Sequence, residues 1–335
     1  MKNILITGGA GYIGSHTAVQ LVKSGYNPII VDDLSNSDEK VLDRLEEILG
    51  RKLSFYKGDC SDRVLLEKIA SAHDLAGIIH FAAFKAVGES TEHPLKYYKN
   101  NLGSLLVLLD FMRDHQIKDL VFSSSCTVYG QPEILPVTES TPRKDAESPY
   151  GNTKKICEDI LVDFVKSKGG VRVVSLRYFN PVGAHPSGKI GELPIGTPAN
   201  LVPFVTQTAA GIREKLTVFG NDYDTPDGSC IRDFIHVMDL ADAHLRAFEY
   251  LGKQDNNFYD VFNVGTGNGN TVLEVITTFE KVNNVSVNYE IGPRRPGDVV
   301  KIWADTDKIK TVLKWTPSYS LEDSMRDSWN WQKTL

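Results

Sequence analysis

The sequence predicts an α/β fold, a doubly wound parallel sheet with a smaller α/β substrate-binding domain, on three observations. Short β-branched apolar runs alternate with helix-length stretches through the first half of the chain, the pattern of successive βαβ units. The apolar runs are nearly continuous rather than alternating with polar residues, as strands buried on both faces are. After Phe179 the character changes, with glycine, proline and asparagine dense over 180–200 and again over 220–229. Long loops of that kind usually either carry function or are disordered.

The elements follow in order. NILIT (3–7) is an apolar strand that runs into glycines, and a helix is expected over 12–24. NPIIVDD (27–33) is the second strand, closed by two aspartates, and a helix follows at 38–48. LSFYKGD (53–59) and a helix at 61–70 form the next unit, and GIIHFAA (77–83) is the fourth strand. A long helical stretch over 94–115 leads to DLVFSSS (119–125), then a helix over 148–167 that opens beside Pro149, then VRVVSLRYF (171–179). Beyond the loops come a strand at 260–265 and helices near 271–281, 305–313 and 320–333. The expected first domain is 1–179, with 233–265 returning to it, and the second is 180–232 with 266–335.

At 335 residues there is room for one large or two moderate cores. A net charge of -6 without a long basic run argues against nucleic acid or an anionic membrane as the main partner. Cys60, Cys126, Cys157 and Cys230 are widely spaced and suggest neither a zinc site nor a disulfide framework. No cleavable signal is expected ahead of the first strand, and no apolar run approaches the ~18 residues of a membrane span. A cytoplasmic protein is the expectation.

Immediately after the first strand comes TGGAGYIGSH, with Gly8, Gly11 and Gly14 three apart ahead of an apolar helix. Glycines let the backbone turn tightly and approach a ligand, and the helix start offers free N–H groups to a pyrophosphate. The position between strand one and helix one makes this a dinucleotide fingerprint of the Rossmann type. The second strand ends in Asp32 and Asp33, about twenty residues on, where a carboxylate accepts from an adenosine ribose. A carboxylate there repels a 2′-phosphate, so the expected cofactor is NAD. Asp59, ending the third strand, is a candidate for the adenine side.

The stretch SPYGNTK (148–154) places Tyr150 and Lys154 four residues apart, on one helix face. A lysine ammonium there is expected to lower the phenol's pKa, making Tyr150 a proton acceptor at neutral pH. His80, His185 and His236 have no metal-ligand spacing and are read as structural.

Together the TGxxGxxG spacing, a strand ending in SSS before TVYG, and YGNTK resemble the extended short-chain dehydrogenase/reductases. Further blocks narrow the resemblance to the UDP-galactose (UDP-glucose) 4-epimerases: IHFAAFKAVGES (79–90), YYKNN (97–101), RYFNPVGAHPSG (177–188), FGNDY (219–223), RDFIHVMDLAD (232–242), PRRPGD (293–298) and WAD (303–305). They run in order over nearly the whole chain. The resemblance implies that Tyr150 takes the proton of the sugar 4-hydroxyl while hydride passes to NAD, that Lys154 supports the phenolate and the nicotinamide ribose, and that Ser125 holds the reacting oxygen. It implies a transient 4-keto sugar that turns over and receives the hydride on its other face, and a homodimer built through helices 94–115 and 148–167.

It also implies cofactor contacts from Gly8, Gly11, Tyr12, Ile13, Gly14, Asp32, Asn36, Asp59, Cys60, Phe81, Ala82, Ala83, Lys85, Asn100 and Phe179. For the UDP-sugar it implies Lys85, Ser125, Tyr150, Asn180, Asn200, Leu201, Thr217, Val218, Phe219, Arg232, Arg295, Asp298 and Ile302. Arginines suit a diphosphate because the guanidinium is a rigid, permanently charged donor fork.

Ile302 departs from the family, standing where relatives carry a tyrosine or a small residue that sets room for an N-acetyl group. UDP-N-acetylhexosamine and pentose nucleotide-sugars stay open as alternatives. Phe234 replaces a tyrosine, and Cys126 a small residue, without loss of a catalytic group. A 4,6-dehydratase or decarboxylase expects acidic residues after the serine strand, where Cys126 and Thr127 stand. A non-catalytic NAD sensor need not retain Ser125, Tyr150 and Lys154.

Overall fold

The computed structural model describes residues 1–167, 169–295 and 298–335. Strands and helices first alternate strictly: β1 (Asn3–Thr7), α1 (Tyr12–Lys23), β2 (Asn27–Asp32), α2 (Lys40–Leu49), β3 (Ser54–Lys57), α3 (Arg63–Ala72) and β4 (Leu75–His80). A helical run follows in pieces, α4 (Val87–Glu92), α5 (Pro94–Tyr97), a π-turn at Tyr98–Leu102 and α6 (Gly103–Asp114). Then come β5 (Asp119–Ser125), a 3₁₀ turn (Cys126–Tyr129), α7 (Pro149–Lys166) and β6 (Arg172–Tyr178).

The remainder mixes short strands with helices. It contains β7 (Asn180–Val182), α8 (Leu201–Ala209), β8 (Leu216–Phe219), β9 (Ile231–Arg232), β10 (Phe234–His236), α9 (Val237–Leu251) and β11 (Phe258–Val264). It ends with β12 (Asn270–Thr271), α10 (Val272–Asn283), β13 (Tyr289–Gly292), β14 (Lys301–Ile302), α11 (Asp307–Val312) and α12 (Leu321–Gln332).

Seven strands hydrogen-bond in the order β11-β6-β5-β4-β1-β2-β3. The pairs β1/β2, β1/β4, β2/β3 and β4/β5 are all parallel. From β1 the chain steps outward to β2 and β3, then returns to β4 on the other side of β1. That reversal opens a crevice outside the carboxyl ends of β1 and β4, where open α/β sheets take their ligands.

Ile4, Leu5 and Ile6 of β1 are fully buried, and every residue of β5 is buried. Leu5 of β1 and Leu120 and Phe122 of β5 join Leu66 and Ile69 of α3, Leu105 and Leu108 of α6 and Leu161 of α7 in one core. Each such aliphatic side chain contributes about 1.5–3 kcal/mol when fully buried.

The chain divides into two compact units, the first made of 1–130, 142–177 and 241–262, the second of 131–141, 178–240 and 263–335. Residues 131–141, 178–179, 233–240 and 263–265 differ from the sequence expectation, all lying in the second unit. Residues 131–141 belong with the second unit because Val137 exchanges backbone hydrogen bonds with Trp303 and Asp305 and also accepts from Asn263 Nδ2. Residues 233–240 belong there too: β10 pairs with β7, and Asp239 accepts from the backbone of Ser318 and Tyr319. The second unit has its own core around Val202, Val205, Val218, Phe234, Ile276, Phe279 and Met325.

Several element boundaries also differ. The fourth strand stops at His80 rather than 83, because Phe81 N and Ala82 N turn to Thr7 of β1. The expected helix over 94–115 contains the π-turn. Helices α8 and α9 are additions to the sequence reading.

Candidate active site

In the first unit, the site begins where β1 becomes α1. Gly8 has φ +69, a conformation that favours glycine, and its carbonyl accepts from Gly11 N at 3.1 Å. A Cβ on Gly14 would lie 2.3 Å from Gly8 O and 2.8 Å from Gly9 Cα, so only glycine lets the helix start this close to the turn. Gly11 is the N-cap and brings no side chain, which leaves the first amides of α1, on Tyr12, Ile13 and Gly14, as a donor cradle for an anion. A Cβ on Gly8 would sit 2.9 Å from Ala82 N, which places the Phe81–Ala83 backbone against the glycine turn across the crevice.

Asp32 braces this turn. One carboxylate oxygen accepts from Ala10 N at 3.0 Å, the other from Leu34 N and Ser37 Oγ. Asp33, Asn36, Asp59 and Lys85 are exposed. The Cys60 side chain lies in the core, its thiol pushed up to about 12 chiefly by burial, so a ligand contact from Cys60 must come from its main chain. Asn100 sits in the π-turn and donates to Asn101 Oδ1 at 3.0 Å. π-Turns interrupt helices most often at functional positions.

The catalytic candidates occupy the end of β5 and the start of α7. Ser148 caps α7, accepting from Gly151 N, and Pro149 occupies the first turn, where its missing N–H costs nothing. Gly151 allows a close approach, since a Cβ there would lie 3.3 Å from Thr127 Cβ in the 3₁₀ turn after β5. Tyr150 is thereby brought into a hydrogen bond with Ser125. Lys154, 3% exposed, donates from Nζ to Ser123 O at 2.7 Å and lies over the Phe122 ring at 4.9 Å.

The electrostatics correct one expectation. Lys154 does not draw Tyr150 down here: burial pushes the phenol up to about 12, and the hydrogen bond with Ser125 offsets only part of that. Lys154 itself is lowered to about 8, chiefly by burial. Its ammonium is directed at a strand carbonyl, and the protein alone leaves the two groups far apart in proton affinity. His80 is held neutral, down to about 3 by burial first and Lys154 second, and bonds Thr7 at 2.7 Å.

In the second unit, Arg232 on β9 and Arg295 both donate to one oxygen of Asp298, each at 2.9 Å. Ile302, buried on β14, is the register partner of Arg232. Pro296 and Gly297 of PRRPGD lie outside the described residues. Asn180 N bonds Asp233 O, Asn200 Nδ2 donates to Glu192 at 2.6 Å, and Leu201 opens α8. Phe219 is exposed with the Arg295 guanidinium over its ring, and Thr217 lies beside it on β8. Val218 and Phe179 are buried apolar side chains, with Val218 in the core of this unit.

Two residues that the sequence reading passed over are central to this geometry. Glu158, 1% exposed on α7, accepts from Arg177 on β6 at 2.8 and 2.6 Å and from Ser124 Oγ at 2.6 Å. The signal was available: an arginine inside the apolar run VRVVSLRYF, and a glutamate four residues after Lys154. Among the described residues, no group of three or more His, Cys, Asp or Glu side chains could hold a metal ion. No helix among them is long and apolar enough to cross a membrane.

Residues 5–328 match a family model described as GDP-mannose 4,6 dehydratase. The UDP-glucose 4-epimerase of Bacillus subtilis is 49% identical over 331 residues, covering 99% of this chain and 97% of that protein. That of Erwinia amylovora is 47% identical over 330 residues, covering 98% and 97%. Among solved structures, the Stenotrophomonas maltophila UDP-glucose 4-epimerase with bound NAD and formylated UDP-arabinopyranose superposes with a TM-score of 0.96 at 43% identity, covering 100% of this chain and 98% of that one. The Bifidobacterium longum enzyme in complex with NAD+ and UDP gives 0.96 at 45%, covering 99% and 98%. The dehydratase name of the broader model finds no support in the residues after Ser125, since Cys126 and Thr127 bring no carboxylate. With identities near one half over almost its whole length, the chain belongs to the UDP-glucose 4-epimerase family of extended short-chain dehydrogenase/reductases.

Proposed function

We propose that this protein interconverts UDP-galactose and UDP-glucose through a transient 4-keto sugar, with NAD held as a resident cofactor. The observation that carries the reading is the Ser125–Tyr150 hydrogen bond, with a buried lysine one helical turn on, in a chain of this family. The glycine turn fits the cofactor, because Gly14 keeps clear the space a Cβ would fill and leaves the α1 amides to a pyrophosphate.

When bound, NAD supplies the acceptor that takes a hydride from sugar carbon 4 and returns it to the opposite face. Tyr150 Oη accepts the proton of the 4-hydroxyl and later gives it back. Ser125 Oγ hydrogen-bonds the reacting oxygen. The Lys154 ammonium, held on Ser123 O, serves the nicotinamide ribose when NAD is bound. Arg232 and Arg295 present guanidinium forks to the diphosphate, with Asp298 setting their spacing. Ile302, beside Arg232, is the side chain whose bulk bears on sugar choice.

Purified protein incubated with UDP-galactose and no added NAD is expected to form UDP-glucose. UDP-N-acetylgalactosamine and a UDP-pentose in parallel tubes report the room left by Ile302. Absence of all three conversions, with NAD present in the protein, would overturn the reading in favour of a sensor.

Gly14→Ala tests the cofactor cradle. The clash with Gly8 O is against backbone, so NAD binding is expected to weaken at least about 100-fold, or about 3 kcal/mol. NAD released by acid from the purified variant measures this, and a wild-type content would remove the glycine turn from the pyrophosphate site.

A cytoplasmic homodimer completes the proposal. Cys60, Cys126, Cys157 and Cys230 carry thiols and not disulfides, which suits a reducing compartment. Leu95 of α5 and Leu106 of α6 are exposed apolar side chains on the 94–115 stretch expected to pair. Light scattering of the eluted protein distinguishes one chain from two.

A further inference from the structure

We propose that Ser124 and Glu158 are positioning residues that set the register of Ser125 against Tyr150, through a buried tie between β5 and α7. The inference rests on the epimerase reading and deepens it.

The end of β5 delivers three consecutive serines, all buried, at 4%, 0% and 7% exposure. Each meets a different turn of α7. Ser125 bonds Tyr150, Ser123 O accepts from Lys154 Nζ at 2.7 Å, and Ser124 Oγ donates to Glu158 Oε1 at 2.6 Å. Positions 150, 154 and 158 are successive steps of four along one helix face. Strand and helix are therefore tied at three points, two of them made by the catalytic candidates and the third by a pair that touches no reacting atom.

Glu158 is itself fixed. Its Oε1 also accepts from Arg177 Nε at 2.8 Å, and its Oε2 from Arg177 Nη2 at 2.6 Å and Arg143 Nη1 at 3.3 Å. Arg177 sits on β6, which neighbours β5 in the sheet. A carboxylate held by two arginines from outside the helix gives Ser124 a rigid partner, and Ser124 is joined by one peptide bond to Ser125. Reacting groups need placement within about 0.5 Å, and a shift of about 1 Å costs on the order of 100-fold. Loss of one tie in three is expected to cost less than that.

Ser124→Ala is expected to lower kcat about 10-fold, with KM for UDP-galactose, NAD content and thermal midpoint near wild type. Ser124→Cys, which nearly keeps the volume and weakens the donor, is expected to lose less in the same direction. The deciding measurement is a cycle with Ser125→Ala: if Ser124 acts through Ser125, the Ser124 change costs nothing further once Ser125 is gone. Wild-type kcat in both Ser124 variants, or an undiminished loss in the Ser125→Ala background, would overturn the proposal while leaving the epimerase reading intact. A wild-type protein inert toward UDP-galactose, with NAD bound, would remove both.

Discussion

Tyr150→Phe is expected to lower kcat about 10³-fold while leaving NAD bound and KM little changed. The substitution deletes one oxygen and keeps the ring. Of the ties that hold this part of α7 only the bond to Ser125 uses that oxygen, and the others remain: Thr153 Oγ1 bonds the Tyr150 carbonyl, Asn101 Nδ2 bonds Thr153, and Ser148 caps the helix. What is lost is the atom that accepts the sugar proton.

The pH profile adds a second signature. Burial holds the phenol at about 12 in the protein alone, and the cationic nicotinamide ring of bound NAD moves it downward. Activity of the wild type should therefore rise with pH as Tyr150 loses its proton. The residual activity of the variant should lack that limb. Rates measured from pH 6 to about 9.5 would show it, and a variant within tenfold of wild type would take Tyr150 out of the proton transfer.

Much of this was legible in the sequence, for physical reasons that can be traced to particular residues. The β1–α1 turn was readable because its geometry excludes side chains: Gly14 sits 2.3 Å from a carbonyl in the position a Cβ would take, and no other residue type satisfies that. Buried parallel strands were readable because both faces are largely apolar, so β1, β2 and β4 appear as nearly continuous runs. Helix α9 was passed over although its signal was present, since Met238, Ala241, Leu245 and Phe248 are buried at helical spacing. It was read only as part of the RDFIHVMDLAD block. The assignment of 131–141 to the second unit was not legible at all, because it depends on pairing of Val137 with Trp303 and Asp305, contacts more than 160 residues apart. The protonation balance of Tyr150 and Lys154 was misjudged for a related reason. Spacing along a helix says which side chains are neighbours, but how deeply both are buried, and that Lys154 reaches Ser123 O, are properties of the packed interior.

The largest loss of stability is expected from Arg177→Met. Arg177 is buried, and burial alone would push its guanidinium down; the bonds to Glu158 outweigh that and hold it above its ordinary value. The fork is bidentate, Nη1 donates to Tyr129 OH at 3.0 Å, and the guanidinium lies over the Tyr129 ring at 5.0 Å. Methionine fills much of the volume but leaves Glu158 in the interior with Ser124 and the more distant Arg143 as its remaining donors. Breaking one side of a buried pair costs about 3–5 kcal/mol. For a unit near 200 residues that is a fall of about 8–15 °C in thermal midpoint. Removing both partners separates the two contributions: Arg177→Met with Glu158→Leu should recover much of the loss, since an apolar pair of similar volume carries no desolvated charge. Calorimetry of the single and double variants decides the matter. A single variant within about 1 kcal/mol of wild type would mean that Ser124 and Arg143 together satisfy Glu158, and the tie beneath the catalytic helix would then not depend on Arg177 of the neighbouring strand.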